Sequence, residues 1–378
     1  MFLKPAQHKA GLKERDYMKT NNISALLDLG QSPWYDNISR ELINDGELQR
    51  LLDIGITGVT SNPSIFEKAI NGTNVYDNNI KDLGKAGKTT LEIYDLITIQ
   101  DVQLVADLLI RVYKKTGGRD GYVSLEVLPE FAHHTAKTIE NAKRLWNEVA
   151  RPNLMIKVPG TKEGPEAIRA LTRIGINVNV TLLFSMRHYE TCAKAYMEGL
   201  NDRLGDGGAI DKVFSVASVF ISRVDTVVDK YLEDTKKERL QGKIAVANAK
   251  KIYQRFKELF YGKEFTDLKH NGGNIQRVLW GSTSPKNPDY SDVKYVNELI
   301  GKDTVNTLPH KTLKAFLDHG KPDLTIEQDL EQEARNLREL KDLKIDLNKI
   351  CDDTQEKGVE AFADSFKKLI EAIKAKKN

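Results

Sequence analysis

The chain has 378 residues, of which 40% are hydrophobic and 29% are charged, as in an ordinary soluble globular protein. Its formal net charge of +3 is nearly balanced and gives no argument for a nucleic-acid or anionic-membrane partner, and no apolar run is long enough to span a bilayer. Cys192 and Cys351 are too few for a disulfide framework or a cysteine-based zinc site, which fits a reducing cytoplasmic location.

The N-terminal segment, residues 1–24, is polar and charged. It lacks the apolar core of a signal peptide or a membrane anchor, and we expect an extended or loosely helical arm.

Short apolar or β-branched segments alternate with segments of helical periodicity along the rest of the chain. The predicted strands are residues 32–36, 56–62, 122–127, 154–159, 176–182, 213–218, 278–282 and 304–308. The predicted helices are residues 40–53, 65–70, 91–115, 135–146, 165–173, 186–201, 219–234, 242–260, 291–300, 311–318, 326–342 and 357–375. Ser39, Ser64 and Ser185 are predicted N-caps. The polar, glycine-containing stretch 71–90 is predicted to be a loop.

Eight short strands, each followed by a helix, predict an α/β fold, a parallel (β/α)8 TIM barrel over residues 25–320. Residues 321–378 are predicted to form a C-terminal helical extension packed on the barrel. A doubly wound open sheet is the alternative that the same alternation permits.

The fourth predicted strand, LMIKVP, contains one anomalous residue, Lys157. Side chains alternate along a strand, so Ile156 and Val158 share one face and Lys157 shares the other with Met155. Burial lowers the pKa of a lysine, and a neutral amine can attack a carbonyl to form a Schiff base. A lysine that reaches solvent from the strand end is the alternative interpretation.

Polar residues occupy alternate positions along the predicted strands, so they lie on one face of each strand. In a barrel the outer face packs against helices, so the polar set is predicted to point inward. The polar residues at or near the carboxyl ends of the strands, where barrel active sites lie, are Asp36, Asn62, Glu126, Lys157, Thr181, Ser218 and Ser282. Singly, most of these also fit ordinary turn, cap or strand-end roles. Two acids and a lysine from different strands together indicate acid/base chemistry around an amine nucleophile.

Several motifs of this chain resemble those of the transaldolases, class I Schiff-base aldolases of the pentose phosphate pathway. The segments that carry the resemblance are GVTSNPSIF (58–66), VSLEV (123–127), IKVP (156–159), NVNVTLLFS (177–185), SVFISRVD (218–225) and KNPDYS (286–291). They occur in order between about residue 30 and residue 318. The arm and tail are similar to those of the longer bacterial members.

The resemblance implies a function and a set of catalytic residues. A dihydroxyacetone unit would pass from sedoheptulose 7-phosphate or fructose 6-phosphate to glyceraldehyde 3-phosphate or erythrose 4-phosphate. Lys157 would form the Schiff base. Glu126 with Thr181 would position a water that shuttles protons, and Asp36 would take the C4 hydroxyl proton. Asp28 is a competing candidate, but the segment around Asp36, WYDNISR, resembles the first strand of the family.

The resemblance also implies substrate-binding residues. Asn62, Asn179 and Ser218 would hold hydroxyls of the dihydroxyacetone unit, and Phe220 would lie beside the enamine. Arg223 and Ser282 would contact phosphate.

This chain departs from the family at one position. Some transaldolases carry a second arginine two residues after the phosphate-contacting serine, and here that position is Ser284. We therefore predict that Lys286, the nearest cation, contacts phosphate.

The family needs no metal or other cofactor, because the iminium polarises the substrate. His133 and His134, near Glu126 and Glu130, lack the spacing of a helical metal pair. The predicted partners are sugar-phosphate substrates, and the protein is expected to be a monomer or homodimer. Two alternatives stay open: a fructose 6-phosphate aldolase-type enzyme, and a non-catalytic sugar-phosphate-binding barrel.

Overall fold

The computed structural model describes residues 21–233, 235 and 237–377, so most of the predicted N-terminal arm lies outside the described residues. In the described part of the chain, eight parallel strands close into a barrel in sequence order. They are β1 (Gln31–Tyr35), β2 (Gly58–Val59), β3 (Tyr122–Glu126), β4 (Leu154–Pro159), β5 (Val178–Leu183), β6 (Ser215–Phe220), β7 (Gln276–Gly281) and β8 (Thr304–Leu308).

Pairing of the first strand with the last closes the sheet. Gln31 lies opposite Thr304 and Tyr35 lies opposite Leu308, with regular parallel register between them. The predicted (β/α)8 barrel is confirmed, and the alternative of an open doubly wound sheet is wrong.

Helices follow the strands and cover the outside of the barrel. Those in the described residues are α1 (Asn22–Asp28), α2 (Arg40–Asn44), α3 (Glu47–Asp53), α4 (Pro63–Gly72), α5 (Asp77–Lys85), α6 (Thr90–Lys115), α7 (Thr135–Val149), α8 (Gly164–Arg173), α9 (Met186–Gly205), α10 (Ser222–Glu233), α11 (Ile244–Tyr261), α12 (Thr266–His270), α13 (Lys294–Glu298), α14 (His310–His319), α15 (Leu330–Asp342) and α16 (Leu347–Lys377). Across residues 21–377, apart from 234 and 236, no helix has the length and apolarity needed to cross a membrane.

The barrel has separate inner and outer apolar clusters. The outer cluster joins the outward strand residues to the helices. The inner cluster consists of Trp34, Tyr122, Met155, Val216, Leu279 and Val305. Gly58 of β2 makes room for the Trp34 indole, since an added Cβ would lie 2.5 Å from the ring. Asp36, Lys157 and Ser218 each follow an inner-cluster residue by two positions, so they share its inward face.

Two local predictions are wrong. The predicted loop 71–90 contains α5, whose few apolar residues include the fully buried Ile80. This helix packs against α16, and an added Cβ at Gly84 would meet Lys377 at 2.7 Å. Its stability therefore depends on the far end of the chain, and its own sequence is too polar to reveal it. The predicted helix 40–53 is divided into α2 and α3 by Gly46, which has φ +75°.

The N-caps follow the prediction at two of three helices. Ser39 accepts a hydrogen bond from Leu42 N, and Ser185 accepts one from His188 N. The Ser64 prediction is wrong. Asn62 caps α4, its Oδ1 accepting from Ile65 N at 3.0 Å, and Pro63 occupies the first helical position.

The C-terminal helix α16 lies along the carboxyl end of the barrel. It contacts α4, α5, α6 and α10, which lie in the connections that follow β2 and β6, and it also contacts β5. Phe366 of α16 packs edge-on to Tyr94 with ring centroids 5.1 Å apart, and Ser365 Oγ lies 2.7 Å from Ser64 Oγ. The last helix therefore borders the end of the barrel at which the polar strand residues emerge.

Candidate active site

Lys157 lies inside the barrel near the carboxyl end of β4, and its side chain is only 5% exposed. Its Nζ donates a 3.0 Å hydrogen bond to the carbonyl oxygen of Ser61 and lies 3.9 Å from Glu126 Oε2. The sequence places it there because Ile156 and Val158 fill the outer core on either side. The result is an amine that is shielded from bulk water yet close to a carboxyl group.

Glu126 ends β3 and lies opposite Lys157 in the strand register. Burial raises the pKa of the Glu126 carboxyl to about 7, although the Lys157 ammonium acts in the opposite direction. Glu126 Oε2 and Thr181 Oγ1 are buried, and neither has a hydrogen-bond partner in the described part of the chain. An acid that titrates near neutrality beside an amine can both give and take a proton.

Asp36 follows β1 and completes the group of titratable side chains. Its Oδ1 accepts a 2.7 Å hydrogen bond from Thr60 Oγ1. Burial raises the pKa of the Asp36 carboxyl, and the Lys157 ammonium is the main opposing influence. Asp28 is exposed near the end of α1. Of the two aspartates that the sequence offered, Asp36 is the one that the structure places with Lys157.

Amide and hydroxyl groups are arranged beside these acids. Asn179 of β5 lies opposite Lys157 in the register. Its Nδ2 donates to Ser124 Oγ at 3.0 Å, and its Oδ1 accepts from Ser218 Oγ at 2.7 Å. These bonds fix the orientation of the amide. Asn62, by contrast, already uses its Oδ1 as the N-cap of α4, which leaves its Nδ2 as the group available to a ligand.

A cationic region adjoins the site at the start of α10. The Arg223 guanidinium lies 5.3 Å from the ring centroid of Phe220, and burial lowers its pKa. Among the described residues no carboxylate acts on Arg223, whose pKa responds to burial alone. Ser282 Oγ lies 2.9 Å from Ser222 Oγ, beside the same helix terminus. An unpaired, partly buried arginine beside a serine pair is suited to bind an anion.

Lys286 lies on the loop that follows β7, and much of its side chain is in contact with solvent. Partial burial of the ammonium and the positive charges of Arg223 and Lys68 lower the pKa of Lys286. Lys68 of α4 also influences Asp36, so it belongs to the same region. The sequence prediction missed Lys68 because it lies on an ordinary helical face, and its position beside Lys286 depends on the closure of the barrel.

Two residues of the site have a backbone conformation that the sequence did not reveal. Leu182 has φ +60° and Ser282 has φ +53°, both in the left-handed region that branched or bulky residues rarely adopt. Each lies at the carboxyl end of a barrel strand. Such strain is commonly found at functional sites, where surrounding contacts enforce it.

His133 lies away from Lys157. Its Nδ1 is 3.3 Å from Glu163 and its Nε2 is 3.3 Å from Glu356 of α16, so it links the barrel to the C-terminal helix. Over the described ranges 21–233, 235 and 237–377, no group of three or more His, Cys, Asp or Glu side chains is placed to hold a metal ion.

Comparison with known proteins identifies the family. The family model described as Transaldolase/Fructose-6-phosphate aldolase matches residues 33–373, which extends the resemblance well beyond residue 318 and through most of α16. A protein named transaldolase from Trichodesmium erythraeum is 43% identical over 373 residues, covering 95% of this chain and 98% of that protein. Proteins of the same name from Thiobacillus denitrificans and Neisseria gonorrhoeae are 44% and 41% identical, covering 91% and 92% of this chain and 97% and 98% of their own lengths. The chain belongs to the transaldolase/fructose-6-phosphate aldolase family.

Proposed function

We propose that this enzyme, a transaldolase, transfers a dihydroxyacetone unit between sugar phosphates through a Schiff base on Lys157. The observation that carries the proposal is the buried amine, 3.9 Å from Glu126 and near enough to Asp36 for its charge to lower the pKa of that carboxyl. The donors are sedoheptulose 7-phosphate or fructose 6-phosphate, and the acceptors are glyceraldehyde 3-phosphate or erythrose 4-phosphate.

Schiff-base formation uses Lys157, Glu126 and Thr181. The neutral amine of Lys157 attacks the C2 carbonyl carbon of the ketose, giving a carbinolamine. Glu126, acting through a water held with Thr181, donates the proton with which the C2 hydroxyl leaves as water, and the iminium results. The pKa of about 7 supports this role, since the carboxyl is partly protonated near neutral pH.

Carbon–carbon bond cleavage uses Asp36. Its carboxylate takes the proton of the C4 hydroxyl, the C3–C4 bond breaks, and the bonding electrons move into the iminium to give an enamine. The aldose phosphate then leaves. An incoming aldose phosphate is attacked by the enamine carbon, Asp36 returns the proton to the new hydroxyl, and water releases the product from Lys157.

Substrate recognition divides between the hydroxyl and phosphate ends. Asn62, Asn179 and Ser218 hold the hydroxyls of the three-carbon unit, and Phe220 lies beside the enamine. Arg223, Ser282 and Lys286 bind the phosphate, and Lys68 adds to the positive potential there. The absence of a carboxylate partner for Arg223 in the described part of the chain supports this assignment, because its charge is free to pair with phosphate.

Borohydride trapping tests the proposal. The protein is incubated with fructose 6-phosphate, reduced, digested and mapped by mass spectrometry, with Lys162 as an internal reference because it lies just beyond the same strand. We expect a sugar adduct on Lys157 and none on Lys162. Failure to add mass at Lys157 would leave the non-catalytic sugar-phosphate-binding barrel as the better description.

The family description also includes fructose 6-phosphate aldolase, which is the second candidate. Incubation with fructose 6-phosphate alone separates the two. A transaldolase retains the three-carbon unit until an acceptor arrives, so free dihydroxyacetone accumulates slowly and added erythrose 4-phosphate speeds turnover. Rapid release of dihydroxyacetone without an acceptor would favour the aldolase.

We also propose a cytoplasmic location, supported by the buried free thiols of Cys192 and Cys351, which fit a reducing compartment. We propose a monomer or homodimer as the assembly, and sedimentation at several concentrations distinguishes the two.

A further inference from the structure

Gln355 of α16 connects the C-terminal helix to the ends of the strands that carry Lys157 and Thr181. Its side chain is 6% exposed. Its Nε2 lies 2.8 Å from the carbonyl oxygen of Gly160, just after β4, and 2.8 Å from that of Leu182 in β5. One amide group therefore joins segments that are 195 and 173 residues away in sequence.

Both carbonyl groups belong to residues that adjoin Thr181. Gly160 N donates to Thr181 O at 2.8 Å, so the segment that Gln355 holds through Gly160 is itself bonded to Thr181. Leu182 is the next residue in the chain. Gln355 thus holds two carbonyl groups next to Thr181, that of Gly160 in the neighbouring segment and that of Leu182 in the same strand.

The Leu182 conformation explains why this support is needed. Leu182 has φ +60°, and the β5–β6 register shifts between Val180 and Leu183. A leucine in the left-handed region is strained and persists only where neighbouring contacts enforce it. The hydrogen bond from Gln355 to the Leu182 carbonyl is such a contact, and it directs the Thr181 side chain by fixing the residue that follows it.

The chemistry of position 355 requires a donor. The two partners at 2.8 Å are carbonyl oxygens, which only accept hydrogen bonds, so the amide nitrogen must face them. A longer contact of 3.4 Å joins the same nitrogen to His188 Nδ1. A glutamate of the same shape would set its oxygens against two carbonyl oxygens. A methionine of similar volume would leave both carbonyls buried without a donor.

The next turn of α16 contacts the same strand end. An added Cβ at Gly358 would lie 2.9 Å from Leu182 Cδ2 and 3.4 Å from Arg223 Nη1. Gln355 and Gly358 are three residues apart and share a helix face. The helix therefore approaches Leu182 closely at both positions, and it also borders the proposed phosphate arginine.

We propose that Gln355 is a positioning residue for Thr181, and that through Gly160 and Leu182 it sets the rate at which the carbinolamine loses water. The inference depends on the proposed function, because it assigns Gln355 a role through Thr181 in the Schiff-base step. It gives the C-terminal helix a part in catalysis in addition to its packing.

The test is a double-mutant cycle between Gln355→Met and Thr181→Ala, with Gln355→Glu as a second variant. Exposed Glu360→Gln, on the same helix, is the control. Adduct formation at Lys157 is followed by rapid quench into borohydride with fructose 6-phosphate, and melting temperature and KM are measured alongside.

In the Thr181-containing enzyme, we expect either Gln355 variant to slow adduct formation by about 10- to 100-fold, since a small misplacement of a catalytic group has effects of that size. We expect a KM change of less than about threefold, because the binding groups remain in place. In the Thr181→Ala background, Gln355→Met should slow the step by less than about threefold further, because residues that act through one another are not additive. Glu360→Gln should match the unmodified protein.

An unchanged trapping rate in Gln355→Met or Gln355→Glu would overturn the proposal. So would fully multiplicative effects of Gln355→Met and Thr181→Ala, which would mean that Gln355 acts independently of Thr181. Failure of the proposed function has a different signature, since the unmodified protein would then give no adduct at Lys157.

Discussion

The Lys157 amine and the Glu126 carboxyl lie 3.9 Å apart on neighbouring strands, with both side chains at least 95% buried. At this distance the Lys157 ammonium favours the ionised form of Glu126 and acts to lower its pKa. Burial nevertheless dominates at Glu126, whose pKa is raised to about 7. The pair therefore places an acid that titrates near neutral pH beside the proposed nucleophile.

Glu126→Gln tests the role of this acid. In the proposed mechanism the protonated carboxyl donates to the leaving hydroxyl, so the rate of Schiff-base formation should fall as the pH rises through about 7, the folded pKa of Glu126. The variant should slow this step by about 100-fold or more and should abolish the pH dependence between about pH 6 and 8. Stopped-flow trapping measures both quantities.

Glu130→Gln is the matched control for that experiment, because Glu130 is exposed just beyond the same strand. It should keep the rate and the pH profile of the unmodified protein. If the rate of Schiff-base formation in the Glu126→Gln variant still falls as the pH rises through about 7, another group controls the step.

Asp36→Asn should separate Schiff-base formation from carbon–carbon bond cleavage. Without the carboxylate that takes the C4 hydroxyl proton, the first iminium forms but does not break down, and turnover should fall by about 1,000-fold or more. Borohydride should then trap the whole phosphorylated hexose on Lys157. The unmodified protein should also give the three-carbon adduct, and mass spectrometry distinguishes the two.

Asp28→Asn provides the comparison, since Asp28 is exposed on α1. It should leave both adducts in their normal ratio. If Asp36→Asn still yields the three-carbon adduct at the normal rate, the base must be a different residue.

Arg223→Ala should weaken recognition of the phosphate. Charge-assisted hydrogen bonds of an arginine contribute about 1.5–3 kcal/mol each, so KM for fructose 6-phosphate should rise by about 10- to 100-fold. The KM for unphosphorylated fructose as the donor should change little. Arg338→Ala, an exposed arginine on α15, is the control. Equal losses on fructose and on fructose 6-phosphate would argue against a phosphate role for Arg223.

The strands, and the face of each strand that points into the barrel, were predictable because both depend on the local alternation of apolar and polar residues. Met155 and Lys157 share one face of β4 whatever else the chain does, and the inner cluster shows that this face points into the barrel. The predicted strand 56–62 was too long, because Thr60 to Asn62 leave the sheet to bond to Asp36, Ser124 and the start of α4. The contacts of Thr60 and Ser61 come from other segments and have no local signal, whereas the Asn62 cap is local.

Features that depend on contacts between distant parts of the chain were not predictable. The contribution of Lys68 to the cationic region and the hydrogen bonds of Gln355 join residues that are far apart in sequence. The left-handed conformation of Leu182 is likewise enforced by the fold, because leucine itself disfavours it. The resemblance supplied the proposed roles of the site residues, whereas the contacts that support them required the structure.

Asp225 of α10, two residues after Arg223, is a buried acid that makes stability depend on pH. Its Oδ1 accepts from Ala245 N at 2.7 Å and its Oδ2 accepts from Tyr295 OH at 2.8 Å, and burial raises its pKa to about 7. The folded protein therefore holds this proton up to about pH 7, whereas the unfolded chain releases it near its usual value of about 4. Stability from this group is complete at low pH and is lost as the pH rises through the folded pKa.

Asp225→Asn should remove that loss, because an amide does not ionise. Relative to the unmodified protein, the free energy of unfolding of the variant should increase between about pH 5 and pH 8 by about 2–3 kcal/mol. Asp267→Asn, at an exposed aspartate of α12, should leave the difference constant. Urea denaturation at several pH values measures both. A constant difference for Asp225→Asn as well would mean that Asp225 is already ionised in the folded state at pH 5, and that its hydrogen bonds to Ala245 and Tyr295 outweigh its burial.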